Sequence, residues 1–190
     1  MTHPPDTRRL PGRSPEAWLL AALEFASRKH RNQRRKDAQA SPYINHPIAL
    51  AHMLVAEGGV RDTKTLVAAV LHDTVEDTDT TIEEIRACFG KLVAGVVQEV
   101  TDDKALPKAQ RKQLQIEHAP HLSRRAALVK LADKTANLRD MVASPPAGWP
   151  LRRRQEYFDW AHAVVAALPP VNKRLRQAFD AAHAQRPKGP

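Results

Sequence analysis

The stretch that decides the fold is Leu71-His72-Asp73-Thr74-Val75-Glu76-Asp77-Thr78, where an apolar segment meets a dense group of metal-binding side chains. The residues before it, Leu66-Val67-Ala68-Ala69-Val70, form a continuous apolar run and predict the buried part of a helix. If this helix continues, the one imidazole and the three carboxylates of the stretch lie within about one turn on neighbouring positions of one face. Because carboxylates this close repel each other, the pattern predicts a divalent cation among them.

The composition favours a compact all-α fold in a single domain. With 190 residues the chain can bury one core, and it is too short for two typical domains. Alanine and leucine dominate, only 7 residues are glycine, and no long alternating β-branched run occurs. The formal net charge of +9 indicates an anionic partner, which leaves nucleic acid, a membrane surface and a small polyphosphate open.

Several features bear on the location of the protein. Cys88 is the only cysteine, so no intrachain disulfide can form. No apolar run approaches the roughly 18–20 residues of a membrane span. Residues 1–13 are basic and rich in proline, which predicts a disordered N-terminal segment, and they lack the apolar stretch of a signal peptide. We therefore expect a cytoplasmic protein that does not contact a membrane.

Helix start and stop signals divide the rest into a domain over residues 14–184 and a disordered tail over residues 185–190. Ser14-Pro15, Ser123 and the capping box Thr81-Ile82-Glu83-Glu84 begin helices, while Gly58-Gly59 and Gly90 end them. Ser144-Pro145-Pro146-Ala147-Gly148 is a break. The predicted helices cover about 15–30, 45–57, 82–90, 91–100, 108–118, 124–141, 151–168 and 170–184, and a further helix begins at about 63 and carries His72.

Three separated segments supply candidate metal ligands: His46, the pair His72-Asp73, and Asp133. Asp133 lies in an apolar helical pattern, where an unpaired carboxylate would be costly. Two imidazoles and two carboxylates suit a six-coordinate Mn²⁺ or Fe²⁺ better than a closed structural zinc site. The adjacent pair can serve one ion if the backbone places both side chains on the same edge. Such an ion would make water a nucleophile near neutral pH, with Glu76 and Asp77 close enough to act on protons.

The sequence resembles the HD metal-dependent phosphohydrolases, and within them the hydrolase domain of RelA/SpoT-type proteins. The closest resemblance is to the stand-alone small alarmone hydrolases of the metazoan SpoT homologue type. It runs in order from about Pro15 to Ala184 without large insertions. Its six motifs are His30-Arg31-Asn32-Gln33-Arg34-Arg35-Lys36-Asp37, Pro42-Tyr43-Ile44-Asn45-His46-Pro47, the stretch from Leu71 to Thr78, Val100-Thr101-Asp102-Asp103-Lys104, Lys130-Leu131-Ala132-Asp133-Lys134 and Asn137-Leu138-Arg139-Asp140.

This resemblance implies a (p)ppGpp 3′-pyrophosphohydrolase that uses one Mn²⁺ per chain and releases pyrophosphate, leaving GDP or GTP. It implies that the acidic pair Glu76 and Asp77 positions and activates the attacking water. It also implies a small anionic nucleotide as the partner. By the same resemblance the metal ligands are His46, His72, Asp73 and Asp133. The resemblance also implies six substrate contacts: Arg35 and Lys36 beside the guanine base, Asn137 near the ribose, and Lys108, Arg153 and Tyr157 near the phosphates, base or ribose.

The chain departs from the family pattern at Thr135-Ala136, where similar proteins have leucine followed by histidine or tyrosine. The departure affects packing or base contact beside Asn137, not the metal ligands. No segment is long enough for the synthetase domain of the bifunctional relatives, so alarmone synthesis is not expected. Two alternatives stay open: a phosphatase acting on another small nucleotide, such as the 2′-phosphate of NADPH, and a non-catalytic basic helical protein that binds nucleic acid. The sequence gives little support to nucleic-acid binding, because it has no recognition motif and no aromatic residues interleaved with its basic runs.

Overall fold

The computed structural model describes residues 14–189; the N-terminal segment 1–13, predicted to be disordered, and Pro190 lie outside the described residues. Within this part the chain forms nine α-helices, one 3₁₀ turn and an isolated β-bridge between Arg34 and Pro42, which confirms the all-α prediction. The helices are α1 (Pro15–Lys29), α2 (Asn45–Ala56), α3 (Thr63–Leu71), α4 (Thr74–Asp77), α5 (Ile82–Val100), α6 (Lys108–His118), α7 (Arg124–Ala143), α8 (Leu151–Ala167) and α9 (Lys173–His183), and the 3₁₀ turn spans Ala119–His121.

Local capping chemistry begins three helices where the sequence predicts them. The side chains of Ser14, Thr81 and Ser123 each accept a hydrogen bond from the backbone amide three residues further on. Gly90 interrupts α5 with φ 82° and ψ 166°, so this element consists of two helical segments. A Cβ at this position would meet no heavy atom within 4 Å, so the positive φ alone makes glycine the suitable residue.

Helices α3 and α7 form the centre of the molecule. All residues of α3 from Thr65 to Leu71 are buried, and α3 packs against α1, α2, α5 and α7. In α7 every residue from Ala126 to Ala136 is buried, including Lys130, Asp133 and Lys134. Because charged groups are rarely buried without partners, these three side chains mark the part of the core where a polar site lies.

The helix that begins at Thr63 does not continue through the acidic residues. It ends at Leu71, and α4 begins only at Thr74. Between them Asp73 has φ −97° and ψ −2°, and the Thr74 hydroxyl donates to the Leu71 carbonyl at 2.7 Å. The acidic side chains therefore do not share one continuous helical face.

The C-terminal segment packs on α8. The Arg186 guanidinium donates to both carboxylate oxygens of Asp159, at 2.7 and 2.8 Å, and Gln155 donates to the Pro187 carbonyl at 2.9 Å. No helix among residues 14–189 is both long and apolar enough to cross a membrane. The disorder expected for 185–190 stays a prediction, although its described residues make these contacts.

Candidate active site

Three of the four predicted metal ligands converge in the core. His46 comes from α2, His72 follows the end of α3, and Asp133 comes from α7. Each is buried, and each offers one ligand atom that lies within 4.8 Å of the other two. His46 Nε2 lies 3.2 Å from Asp133 Oδ1, and His72 Nε2 lies 3.8 Å from the same oxygen. Residues 87 positions apart in sequence thus meet at one point.

The hydrogen bond and the charges around His72 suit a cation. Its Nδ1 lies 2.8 Å from the Ala69 carbonyl oxygen, which only accepts, so Nδ1 must donate there. Nε2 then points to the ligand group; it is buried and has no hydrogen-bond partner, although Asp73 Oδ2 is 2.8 Å away. Burial alone would lower the pKa of His72, but the carboxylates of Asp73 and Asp133 outweigh it and raise this pKa to about 9. A proton or a metal ion satisfies the same arrangement.

The fourth predicted ligand, Asp73, lies beside this group. Its Oδ2 is close to His72 Nε2 and also accepts a hydrogen bond from the Tyr43 hydroxyl. Burial would raise the pKa of Asp73, but the neighbouring imidazole of His72 outweighs burial and holds it below its usual range. The carboxylate is therefore ionised and available to a cation, with Tyr43 fixing its orientation.

Asp133 is held by two further residues of α7. Lys134 Nζ donates to Oδ2 at 3.1 Å, and Asn137 Nδ2 donates to Oδ1 at 2.6 Å. Burial opposes ionisation of Asp133, but the Lys134 ammonium and the two histidines keep its pKa well below the usual value. Lys134 is not among the residues predicted for the site. Its position between apolar residues of a buried helix, next to Asp133, is the signal that could have shown its place in the site.

The acidic pair lies at the rim of this group. Asp102 donates its backbone N–H to Glu76 Oε2 at 3.1 Å, while Arg111 Nη1 lies 3.9 Å from Glu76 Oε1. Burial, together with the nearby carboxylates, raises the pKa of Glu76 to about 7. Asp77 accepts hydrogen bonds from Gln33, at 2.8 Å, and from Lys104. A carboxyl group whose pKa is raised in this way, beside a cluster of predicted metal ligands, is suited to proton transfer.

Three adjoining cavities surround the ligand group, and Lys36, Asp77 and Tyr157 line all three. A cavity of about 330 Å³ is lined by all four predicted metal ligands. One of about 600 Å³ adjoins it and is lined by Arg35 and Asn137 among others. The third, of about 830 Å³, is lined by six further cations: Lys104, Lys108, Arg111, Lys112, Arg152 and Arg153. Every predicted substrate residue therefore lies on one continuous cleft.

Tryptophan rings support the cations of the largest cavity. The Arg153 guanidinium carbon lies 4.0 Å from the centre of the Trp149 ring, and Lys108 Nζ lies 5.9 Å from it. Lys112 Nζ lies 4.7 Å from the Trp160 ring. Burial and neighbouring cations lower the pKa of Lys108, so the cleft favours an anionic ligand.

The two positions that depart from the family pattern are buried in α7. Thr135 and Ala136 are 0% and 5% exposed, and the Thr135 hydroxyl donates to the Leu131 carbonyl of its own helix at 2.8 Å. Both side chains therefore contribute to packing within α7.

Comparison with known proteins places the chain in a family. The family model described as HD domain matches residues 22–159. The human guanosine-3′,5′-bis(diphosphate) 3′-pyrophosphohydrolase MESH1 is 55% identical over 173 residues, covering 91% of this chain and 97% of the human protein. The Drosophila melanogaster protein of the same name is 48% identical over 172 residues, covering 90% of this chain and 96% of the Drosophila protein. A solved metazoan ortholog of SpoT, described as hydrolyzing ppGpp, superimposes with a TM-score of 0.88 and 47% identity, covering 92% of this chain and 98% of that one. These findings confirm the predicted resemblance, and the chain belongs to the HD-domain family.

Proposed function

We propose that this chain is a metal-dependent (p)ppGpp 3′-pyrophosphohydrolase, a small alarmone hydrolase. The observation that carries the proposal is the meeting of His46, His72 and Asp133 ligand atoms within 4.8 Å of one another, at a cleft whose walls carry many cations. The relatives named above as pyrophosphohydrolases share about half of its residues over nearly the whole length. A cytoplasmic location is part of the same proposal.

The proposed cofactor is one Mn²⁺ per chain. His46, His72 and Asp133 would hold it, with Asp73 as the fourth ligand, because mixed imidazole and carboxylate donors suit Mn²⁺. When bound, such an ion polarises a phosphoryl oxygen and makes water more acidic. Asn137 and Lys134 would keep the Asp133 carboxylate in position, since each donates to one of its oxygens.

The acidic pair would supply the proton chemistry. With a pKa of about 7, Glu76 is partly ionised at neutral pH and can take a proton from the attacking water. The water oxygen attacks the phosphorus attached to the ribose 3′ oxygen, and the bond between that phosphorus and the 3′ oxygen breaks. Pyrophosphate leaves, and the 3′ oxygen takes up a proton. Asp77, held from two sides, would orient the water.

The cleft would bind the nucleotide through the predicted substrate residues. Arg35 and Lys36 would lie at the base and Asn137 at the ribose, in the cavity next to the ligand group. Lys108 and Arg153 would neutralise phosphates in the cation-rich cavity. Burial raises the pKa of Tyr157 to about 12, so its hydroxyl stays a donor at neutral pH.

Incubation of the purified protein with ppGpp and with NADPH, each with Mn²⁺ and with a chelator, tests the proposal. We expect GDP and pyrophosphate from ppGpp, loss of turnover with the chelator, and recovery when Mn²⁺ is restored. A higher kcat/KM for NADPH, with phosphate released, would replace the proposal with the phosphatase alternative. Salt-dependent binding of duplex nucleic acid without any metal-dependent hydrolysis would support the non-catalytic alternative.

A further inference from the structure

A buried imidazole is connected to the acidic pair by hydrogen bonds. His30, at the end of α1, is only 2% exposed, and its Nδ1 lies 2.5 Å from Gln33 Oε1. Gln33 Nε2 in turn donates to Asp77 Oδ2 at 2.8 Å, across 44 residues of sequence. A chain of two hydrogen bonds therefore runs from the core to one of the two acidic residues at the cleft.

The donors and acceptors in this chain have only one consistent direction. The Gln33 amide presents its NH₂ group to Asp77, because its Nε2 donates to Asp77 Oδ2. Its carbonyl oxygen then faces His30, and because that oxygen only accepts, the imidazole proton must be on Nδ1. The other ring nitrogen, Nε2, is buried and has no hydrogen-bond partner. His30 is therefore a neutral donor with a fixed tautomer, and its burial, which lowers its pKa, favours this neutral form.

The surrounding backbone and ring contacts hold these two side chains in place. Gln33 donates its backbone N–H to the His30 carbonyl at 2.9 Å, and Tyr43 donates to the Gln33 carbonyl at 3.2 Å. The rings of His30 and Tyr43 lie 4.9 Å apart between centres, and the Tyr43 hydroxyl donates to Asp73. His30 thus lies behind Gln33 and Tyr43, each of which directs a donor at a carboxylate of the site.

We propose that His30 and Gln33 are positioning residues for Asp77, which they hold in its working orientation through the directed chain from Nδ1 to the carboxylate. This inference rests on the proposed function. The other oxygen of Asp77 is bonded to Lys104, whose side chain is 49% exposed and lies on the cation-rich cavity that would take phosphates. A lysine that turns toward a phosphate gives up this contact, whereas the half-buried amide of Gln33 keeps its own. Because the amide is neutral, it orients Asp77 without neutralising its charge.

The variant Gln33→Glu tests the second link. It keeps the size of the side chain and an acceptor for His30, but it replaces the donor to Asp77 with a like charge. We expect kcat for ppGpp to fall about ten- to hundredfold, with KM, Mn²⁺ content and melting temperature close to wild type, since a hydrogen bond to a charged group is lost. Gln110→Glu is the matched control, because Gln110 is exposed in the first turn of α6. A kcat equal to that of the control would overturn the positioning role.

Two variants of His30 test the first link. Asparagine can place its amide nitrogen where Nδ1 lies, so His30→Asn retains a donor to Gln33 but loses the ring. His30→Phe retains the ring against Tyr43 but has no donor. If the hydrogen bond matters, His30→Asn keeps more kcat than His30→Phe when both are compared at temperatures well below their melting points. The reverse order would show that His30 only fills space.

Nitrogen NMR of metal-free wild-type protein provides a readout that does not depend on turnover. We expect the His30 signals of the Nδ1–H tautomer, and an Nε2–H tautomer would overturn the chain whatever the kinetics show. If the protein shows the expected tautomer but does not hydrolyse ppGpp, the proposed function is wrong, while the direction of the hydrogen-bond chain still holds. The two failures are therefore distinguishable.

Discussion

The burial of Glu76 predicts a specific pH dependence of folding stability. The side chain is 19% exposed, accepts the backbone N–H of Asp102 and lies near other carboxylates, which together with burial raises its pKa from 4.5 to about 7. Glutamine has the same shape and can still accept from Asp102. The substitution Glu76→Gln therefore removes the titration and changes little else.

The sign follows from proton linkage. A carboxyl group whose pKa is higher in the folded state binds its proton more tightly there, so the protein loses stability as pH rises between the unfolded and folded pKa values. The interval from 4.5 to about 7, at about 1.4 kcal/mol per pH unit, gives about 3 kcal/mol. Because the side chain is partly exposed, solvent screening reduces this to about 2 kcal/mol. The difference in free energy of unfolding between Glu76→Gln and wild type should therefore be about 2 kcal/mol larger, in favour of the variant, above pH 7 than at pH 4.5.

Urea denaturation with a chelator present, at several pH values between about 4.5 and 8, measures the free energy of unfolding of both proteins. The difference between Glu76→Gln and wild type should grow as pH rises and then level off. Glu83→Gln, on an exposed residue of α5, is the matched control and should change stability by less than about 0.5 kcal/mol. A difference that stays flat, or shrinks as pH rises, would refute the environment described for Glu76.

Three further outcomes are expected. His72→Ala should lose bound metal and turnover together, whereas Glu76→Ala should keep metal and lose most turnover; equal metal retention by elemental analysis would mean the roles are misassigned. Arg153→Ala should raise KM for ppGpp about tenfold in steady-state assays with a smaller change in kcat, because it removes a phosphate-neutralising charge, and a loss confined to kcat would contradict this. Thr74→Val should lower the free energy of unfolding by about 1–3 kcal/mol, because the Leu71 carbonyl at the end of α3 loses its donor. Thr135→Val should cost less, because the Thr135 hydroxyl bonds a carbonyl inside the regular hydrogen-bond ladder of α7. Equal losses in urea denaturation would contradict this difference.

Much of the helical framework could be predicted because its signals are local. The sequence predicts α6 at Lys108–His118 with the bounds that the structure has, and it predicts the interruption of α5 at Gly90. Caps and glycines act within a few residues, so they can be read from the chain itself. The end of α3 at Leu71 has no such signal, because neither glycine nor proline occurs between Leu71 and Thr78.

The site could be predicted less completely, because its supporting contacts join distant segments. The predicted metal ligands carry rare side chains in a recognisable order, and the structure brings His46, His72 and Asp133 together. The donors around them are ordinary residues whose partners lie far away in sequence. Gln33 reaches Asp77 across 44 residues, and no spacing rule indicates that contact. Only the tertiary fold shows which common polar side chain supports a functional one.

The break after Leu71 has a physical reason that links the fold to the chemistry. On a continuous helix adjacent side chains point about 100° apart, so His72 and Asp73 could not both face one cation. The turn at Asp73, with φ −97° and ψ −2°, instead brings its Oδ2 to 2.8 Å from His72 Nε2. The Thr74 hydroxyl compensates part of the cost by bonding the carbonyl that the interrupted helix exposes. If His72 and Asp73 serve one ion, as we propose, leaving the helix is what would allow it, and the buried Thr74 hydroxyl stabilises that departure.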